Sequence, residues 1–396
     1  MKVAVVGSGI SGLGAAYVLG RAHDVHVFER DSRAGGHANT AVHDGLALDM
    51  GFLVHNERNY PLLTRLFSEL EVATHESDMS FSVSCRGCGL EYSGRRPFAQ
   101  PANAARPGYL SLLWEIGRWL RTARPEDETE SLGEYLDRHR YSQRFRRHFL
   151  VPLTSALWST APGRALEFPA SYAIRFFDNH GMLGFGRLRW RTVTGGSRRY
   201  VDAIAARLGD RLRLECGVRS IRRAPEFVGL RIGDEVERFD RVVVATHADQ
   251  ALALLEDATA DEQRVLGSFT YTTNEAVLHT DTALLPRTAA ARAAWNYRLG
   301  DDGRPTVTYH LNRLQALQTD RDYCVTLNEP VPEEHVLERC TYEHPQYTVE
   351  TLRAQADLPQ LSVGTTRYAG AYFGNGFHED GLASGVAAAR ALGVEW

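Results

Sequence analysis

Three glycines near the start of the chain are spaced for phosphate chemistry: Gly7-Ser8-Gly9-Ile10-Ser11-Gly12 follows the apolar run Lys2 to Val6. Each position has a physical reason. Gly7 permits a tight turn, Gly9 lets the backbone approach a pyrophosphate, and Gly12 lets a helix pack closely on the preceding strand. The helix predicted from Ile10 to about Gly20 aims its first N–H groups at the phosphates, where aligned peptide dipoles favour negative charge. Glu29 ends the next predicted strand, His23 to Phe28, and is placed to accept from a ribose 2′-OH. An acid there selects an unphosphorylated ribose, so FAD or NAD fits better than NADP.

Other reactive residues are sparse. Cys85 and Cys88 form a single CxxC inside Ser80 to Tyr92, which reads as a hairpin with Arg86-Gly87 at its turn. No second pair and no histidine stands at zinc spacing, so no metal is expected. The five cysteines, an odd and sparse set, suit a reducing compartment. No Ser/His/Asp order suggests hydrolysis. Lys2 is the only lysine and begins the first strand, so no mechanism here uses an active-site lysine. With 45 basic and 49 acidic residues the net charge is −4, which gives no electrostatic case for nucleic acid.

The elements that must position these residues follow from length and periodicity. A chain of 396 residues, 43% hydrophobic and 24% charged, is an ordinary globular protein of two or three domains. It has no uninterrupted apolar run of about 18 residues, so no membrane-spanning helix is expected. Val3 to Leu19 follows a lysine as a signal peptide's apolar core does, but cleavage would remove the phosphate-binding turn, so the segment is read as retained. Gly35-Gly36-His37 marks a second close backbone approach. The spacing of Leu62, Leu63, Leu66, Phe67 and Leu70 predicts a helix over 58–70. The stretch 107–179 is mostly helical and rich in aromatics, and Gly195-Gly196-Ser197 opens a helix to Leu208. Val242 to Ala245 suits a strand buried on both faces. Further strands are expected at 271–280, 306–311 and 323–327, and a last helix from Gly381 to Leu392. The chain leaves its first domain and returns: 1–75, 195–250 and 360–396 form a dinucleotide domain, 76–194 and 251–359 a second. This interleaving describes a discontinuous flavoprotein better than a dehydrogenase with consecutive domains. The expected fold is α/β, a Rossmann-like FAD-binding domain with an interleaved α+β substrate domain.

Gly7-x-Gly9-x-x-Gly12, Glu29-Arg30, Gly35-Gly36-His37, Val244-Ala245-Thr246 and Gly370…Glu379-Asp380-Gly381 resemble the amine oxidase and phytoene desaturase flavoprotein superfamily. More narrowly, residues 49–60, 177–181, 190–197, 295–297 and 376–381 resemble bacterial predicted FAD-dependent oxidoreductases associated with cyclopropane fatty acid synthases. The resemblance implies a fold of the glutathione-reductase or amine-oxidase type, non-covalent FAD and a lipid-type substrate. It implies that Gly7, Ser8, Gly9, Ile10, Ser11 and Gly12 hold the pyrophosphate, that Glu29 and Arg30 meet the adenosine ribose, and that Val218 contacts adenine through its backbone. Gly35, Gly36 and His37 would lie near the ribityl chain or flavin edge. Thr246, Gly370, Glu379, Asp380 and Leu382 would complete the cofactor site, with the helix from Gly381 pointing its positive end at the flavin. Amine oxidases of the superfamily usually place a lysine near flavin N5. By spacing Asn274 stands there, and an amide supplies neither proton nor charge.

Candidate walls of a substrate pocket are Trp158, Phe176, Phe177, Asn179, Trp190, Trp295 and Asn296, with Asn274, His180 and Tyr309 as candidates for catalysis. The leading expectation is a desaturase or oxidase acting by hydride transfer from a hydrophobic substrate to bound FAD. A redox-neutral double-bond isomerase, an amine oxidase and a non-catalytic lipid-binding protein on the same fold are the alternatives. The helix at 107–124 carries Tyr109, Leu110, Trp114 and Trp119 beside Arg118, Arg121 and Arg124. It is either an interfacial helix that docks at a membrane or a buried helix with a solvated end. A cytoplasmic protein, peripheral to the inner face of the membrane in the first case, is expected. The oligomeric state is left open.

Overall fold

The computed structural model describes residues 1–160, 162–184, 188–300 and 305–396. Two sheets organise them. The first has five parallel strands in the order Thr366–Tyr368, Arg241–Val244, Lys2–Val6, Asp24–Phe28 and Leu212–Arg213. Its centre is as apolar as its sequence: Val3, Val5, Val242, Val243 and Val244 are fully buried, because helices cover one face and a three-stranded antiparallel sheet, Val218–Arg223, Val228–Ile232 and Glu235–Phe239, covers the other together with the helices Ala248–Leu254 and Ala260–Leu266. The helix Ile10–Leu19 lies on one face and packs along the last helix, His378–Arg390. Glycine makes that approach possible, since a Cβ on Gly385 would fall 2.2 Å from the Ser11 carbonyl oxygen.

The second sheet has seven strands, ordered Val336–Gln346, Thr270–His279, Cys324–Leu327, Pro305–His310, Trp295–Leu299, Phe81–Cys85 and Leu90–Ser93. All pairings are antiparallel except Trp295–Leu299 with Phe81–Cys85. Helices between Pro107 and Asn179 pack on it around Trp119, Phe145, Phe168 and Phe177, each no more than 1% exposed. The helix Pro107–Thr122 therefore has a core face of Tyr109, Leu112 and Trp119, while Leu110 and Trp114 stay exposed. No helix among the described residues is long and apolar enough to cross a membrane.

Two expected elements shift. The second helix starts at Pro61 rather than Arg58, where proline is tolerated in the first turn. The last helix starts at His378, three residues before Gly381, so Glu379 and Asp380 lie inside its first turn. The edge strand Val336–Gln346 was not expected. Its sequence, VLERCTYEHPQ, lacks an apolar alternation, and Pro345 is tolerated because the strand pairs on one side only.

Candidate functional site

A cavity of about 580 Å³ opens at the carboxyl ends of the parallel strands and runs to the inner face of the second sheet. Gly7 follows the strand Lys2–Val6, Thr246 follows Arg241–Val244 and Gly370 follows Thr366–Tyr368, and all three line it. This is where open α/β sheets bind ligands.

The nucleotide end is built largely from backbone. Gly7 has φ +98, and a Cβ there would lie 2.7 Å from the Ala245 carbonyl oxygen. A Cβ on Gly12 would lie 1.9 Å from the Gly7 oxygen, so this glycine sets helix packing and does not itself line the cavity. On Gly9 a Cβ would meet no protein atom within 4 Å. The space beyond it belongs to the cavity. The helix that begins there has no side-chain cap and no acid in its first turn, which leaves its N–H groups for an anionic ligand. Ser8 donates to Glu29 Oε2 through its N–H at 2.9 Å and its hydroxyl at 2.6 Å, and the Asp31 N–H donates to Oε1 at 3.0 Å. Oε1 keeps a free lone pair for a ribose hydroxyl. A dinucleotide with an unphosphorylated ribose fits these donors and acceptors.

Ile10, Ser11, Arg30, Gly36, His37 and Val218 also line this cavity. Other residues expected at the cofactor have different tasks. Gly35, at φ +107, is a turn residue packed on Ala38 and Val201 and stands off the wall. Glu379 accepts from the N–H groups of Leu62 and Leu63 at 2.8 and 3.0 Å, capping the helix Pro61–Glu69. Asp380 accepts from the Phe377 N–H at 2.9 Å within its own first turn, and burial raises its pKa to about 6. Leu382 is fully buried against Gly14. The part of that helix on the cavity wall is His378, whose ring stacks on Phe52 at 3.9 Å.

At the other end Trp158, Phe176, His180, Trp190, Trp295 and Tyr309 converge, as the sequence suggests. Phe177 instead faces Trp119 and Trp158 in the core, and Asn179 is an exposed helix end whose carbonyl accepts from Asn59. Asn296 uses all four of its amide positions internally, with Ser82, Ala293 twice and Thr308, and is a structural pin. His180 donates through Nδ1 to the Phe176 carbonyl at 2.9 Å, and its ring stacks on Phe176. Burial lowers its pKa to about 4, so it is neutral at pH 7 with Nε2 as a lone-pair acceptor.

Asn274 does not reach the cavity. It is 1% exposed and works behind His344, a wall residue that the sequence did not single out. The Glu275 N–H donates to Asn328 Oδ1, so Asn328 Nδ2 donates to Asn274 Oδ1 at 2.7 Å. The Asn274 amide nitrogen then donates to the Thr272 carbonyl at 3.0 Å and to His344 Nδ1 at 2.9 Å. This chain fixes the tautomer of His344: Nδ1 accepts, and Nε2–H is left as the ring's free donor. Burial, then the nearby His247, lowers the His344 pKa to about 4. His37, His247 and His378 are depressed as well, in each case mainly by burial. The histidines of the wall are neutral donors and acceptors at pH 7. The only described lining residues with acidic or basic side chains are Glu29, Arg30, Asp31 and Glu343. Glu343 sits with His247 and Gln250, at the nucleotide end. Lys2 is remote, its Nζ 4.4 Å over the Phe239 ring.

Fold and site together define a dinucleotide-binding flavoprotein scaffold with a joined apolar chamber. Residues 10–305 match the flavin containing amine oxidoreductase family, and the chain belongs to it. A protein of Mycobacterium tuberculosis H37Rv assigned as a flavin-containing monoamine oxidase, AofH, is 30% identical over 241 residues, 56% of this chain and 52% of that protein. The chain thus spans about half the length of that relative. A 52-residue stretch, 13% of this chain and 10% of the other, is 42% identical to 4,4′-diapophytoene desaturase of Staphylococcus aureus Newman. Among solved structures, cyclohexylamine oxidase from Brevibacterium oxydans IH-35A superposes with a TM-score of 0.71 at 16% identity, covering 99% of each chain. The fatty acid isomerase of P. acnes that produces CLA superposes with a TM-score of 0.72 at 17% identity, covering 99% of this chain and 97% of that one. At these identities the likeness is one of fold.

Proposed function

We propose that the protein is an FAD-dependent oxidoreductase that acts on a hydrophobic, uncharged substrate of fatty-acyl or similar lipid character. One observation carries this reading: among the described residues, the chamber of Trp158, Phe176, Trp190, Trp295 and Tyr309 contains no acidic or basic side chain, and its histidine is neutral.

The chain's own residues supply binding, orientation and dryness. Gly7, Gly9 and the first turn of the helix at Ile10 would hold the pyrophosphate of non-covalently bound FAD, and Glu29 its ribose. The chemistry that group supplies when bound is two-electron oxidation by hydride acceptance. Aromatic walls exclude water from the reacting carbons and place an acyl chain by apolar contact. Trp295 contributes its ring to this wall, set edge-on against Tyr309 at 4.8 Å between centroids.

Amine oxidation is less well supported, because a cationic substrate finds no counter-charge in the described part of the chamber and no lysine lies near it. A redox-neutral isomerase would use the same chamber, and product mass separates the two: desaturation removes two hydrogens and isomerisation none. Membrane delivery of the substrate is supported by the exposed pair Leu110 and Trp114 beside Arg118, whose guanidinium lies 5.4 Å from the Trp114 ring. Co-sedimentation with anionic vesicles tests that contact. The test of the central proposal is an anaerobic screen of fatty acyl lipids and amines that follows bleaching of the bound flavin. Bleaching by lipids with a dehydrogenated product supports the reading. A colourless protein that takes up no FAD, or bleaching by amines alone, rejects it.

A further inference from the structure

The hairpin at Phe81–Ser93 holds a cluster that the cavity does not use. Among the described residues, Cys85, Cys88 and His148 bring one ligand atom each to within 4.8 Å of one another, and none of the three lines the cavity. Cys85 ends the strand Phe81–Cys85, and Cys88 lies in the turn before Leu90. His148 lies 60 residues beyond Cys88, in the π-helical turn Arg146–Leu150. That distance explains why linear ligand spacing does not reveal it.

The turn has the form of a ligand knuckle. Gly89, at φ +67, follows the second cysteine and folds the chain back, its N–H donating to the Cys85 carbonyl at 2.9 Å. The Cys88 N–H donates to the Cys85 sulfur and the Leu90 N–H to the Cys88 sulfur. Cys88 Sγ lies 3.5 Å from His148 Nε2. Tetrahedral zinc, with Zn–S near 2.3 Å and Zn–N near 2.05 Å, sets a sulfur-to-nitrogen edge of about 3.6 Å. His148 Nδ1 is 3.2 Å from the Arg144 carbonyl, which takes its N–H and leaves Nε2 with a lone pair toward the sulfurs. Metal-bound histidines use their second nitrogen in this way. The Tyr92 hydroxyl donates to the His148 carbonyl at 2.6 Å and fixes that turn against the hairpin. Cys85 and His148 are buried while Cys88 is exposed, so a fourth position faces solvent.

We infer that Cys85, Cys88 and His148 form a three-ligand zinc site, completed by water or an exogenous ligand, that staples the hairpin to the helical layer of the second domain. Binding forms two Zn–S bonds and one Zn–N bond and releases the two thiol protons to solvent. Two thiolates and a neutral imidazole balance the charge of the ion. The site replaces the expectation, drawn from linear spacing, that the CxxC is only a turn.

The test uses the reduced, flavin-loaded protein under anaerobic conditions, titrated with Co²⁺ and then Zn²⁺ and desalted before metal analysis. One equivalent per chain is expected, with a thiolate-to-cobalt charge-transfer band in the difference spectrum that Zn²⁺ abolishes. Cys88→Ser, at an exposed position, should abolish the band and the retained metal, and His148→Gln should weaken both. Cys216→Ser should change neither. Zinc should raise the melting temperature of the wild type and not that of Cys88→Ser. Absence of the band in fully reduced wild type, or metal binding that survives Cys88→Ser, overturns the inference. So does a Cys85–Cys88 disulfide that, once reduced, takes up no metal. Flavin content is read separately, so failure here leaves the cofactor reading untouched.

Discussion

Replacing Asn274 with aspartate places a negative charge behind His344 and tests the hydrogen-bond chain that fixes its tautomer. In the native protein Nδ1 of His344 accepts from the Asn274 amide at 2.9 Å, and burial keeps the ring's pKa at about 4. A carboxylate at that position attracts the protonated ring instead. With charge centres about 4 Å apart and an effective dielectric of about 20, the attraction is about 4 kcal/mol, or about 3 pKa units. His344 should then titrate at about 7, and above that pH its proton should sit on Nδ1 with Nε2 bare toward the cavity. The substitution also removes the donor to the Thr272 carbonyl, which costs about 1–3 kcal/mol of stability and is read separately by melting. The assay is histidine NMR of the flavin-loaded protein, with the His344 signal assigned by its loss in His344→Gln. Wild type should show one tautomer, protonated on Nε2, and no titration between pH 5.5 and 8. Titration of wild-type His344 near its ordinary value, or a variant ring still neutral at pH 6, would refute the reasoning.

Stability should fall as pH drops from 7.5 to 5. His55, His180 and His279 are buried with pKa values lowered to about 4, so the stability they lend is full above 6.5 and is lost as pH falls toward 4. At pH 5 each loss is about 2 kcal/mol. Asp49 and Asp380, both raised to about 6 mainly by burial, act oppositely: their contribution is full below about 3.8 and lost as pH rises through 6. They return about 3 kcal/mol together at pH 5, while His344 and His378, held at about 4 and about 3, add about 2 kcal/mol of loss each, so the balance is a net loss read in denaturant midpoints. A flat or rising profile contradicts this balance. Gly9→Ala should leave the apoprotein within about 1 kcal/mol of wild type, since the new Cβ meets no protein atom, yet weaken FAD affinity by about 100-fold or more. Unchanged FAD titration in that variant would remove Gly9 from the cofactor site. Glu379→Ala should cost about 1–2 kcal/mol through its lost cap on the helix at Pro61 and leave FAD affinity unchanged.

The two ends of the cavity were legible to different degrees because they are built differently. The nucleotide end uses backbone geometry, and backbone geometry is written locally. Gly7, Gly9, Gly12 and Glu29 can be read within thirty residues because a strand, a turn and a helix in sequence suffice to place them. The chamber instead takes side chains from segments as distant as Met79, Trp158, Trp295 and Phe377, and only tertiary packing says which aromatics face inward. Phe176 and Phe177 are adjacent on one helix, yet one lines the chamber and the other fills the core. His344 stayed hidden because its strand, with charges and Pro345, has the composition of a loop and becomes a strand only by pairing along Thr270–His279. Glu379 misled in the opposite direction. Its position in a helix's first turn suits a cofactor contact and a cap equally well, and only the neighbouring helix at Pro61 decides between them.

Charge is the property that most constrains the substrate. Moving an ammonium group into a dry chamber carries a desolvation penalty of several kcal/mol, even after the protein relaxes. Aromatic faces return about 2 kcal/mol when the cation is desolvated, which leaves a deficit unless a carboxylate stands nearby. Glu343, the acid closest in sequence to His344, accepts from Gln250 at 3.3 Å and lies 3.2 Å from His247, so it serves the nucleotide end. An alkyl or alkenyl chain meets no such deficit. Each methylene buried adds about 0.8 kcal/mol, so a chain of a dozen carbons can hold its reacting carbon in place without one ionic contact. Among the described residues, this chamber has aromatic walls and no acidic or basic side chain. Under the proposed function, that combination makes apolar length, rather than a cationic headgroup, the feature by which a substrate would be selected.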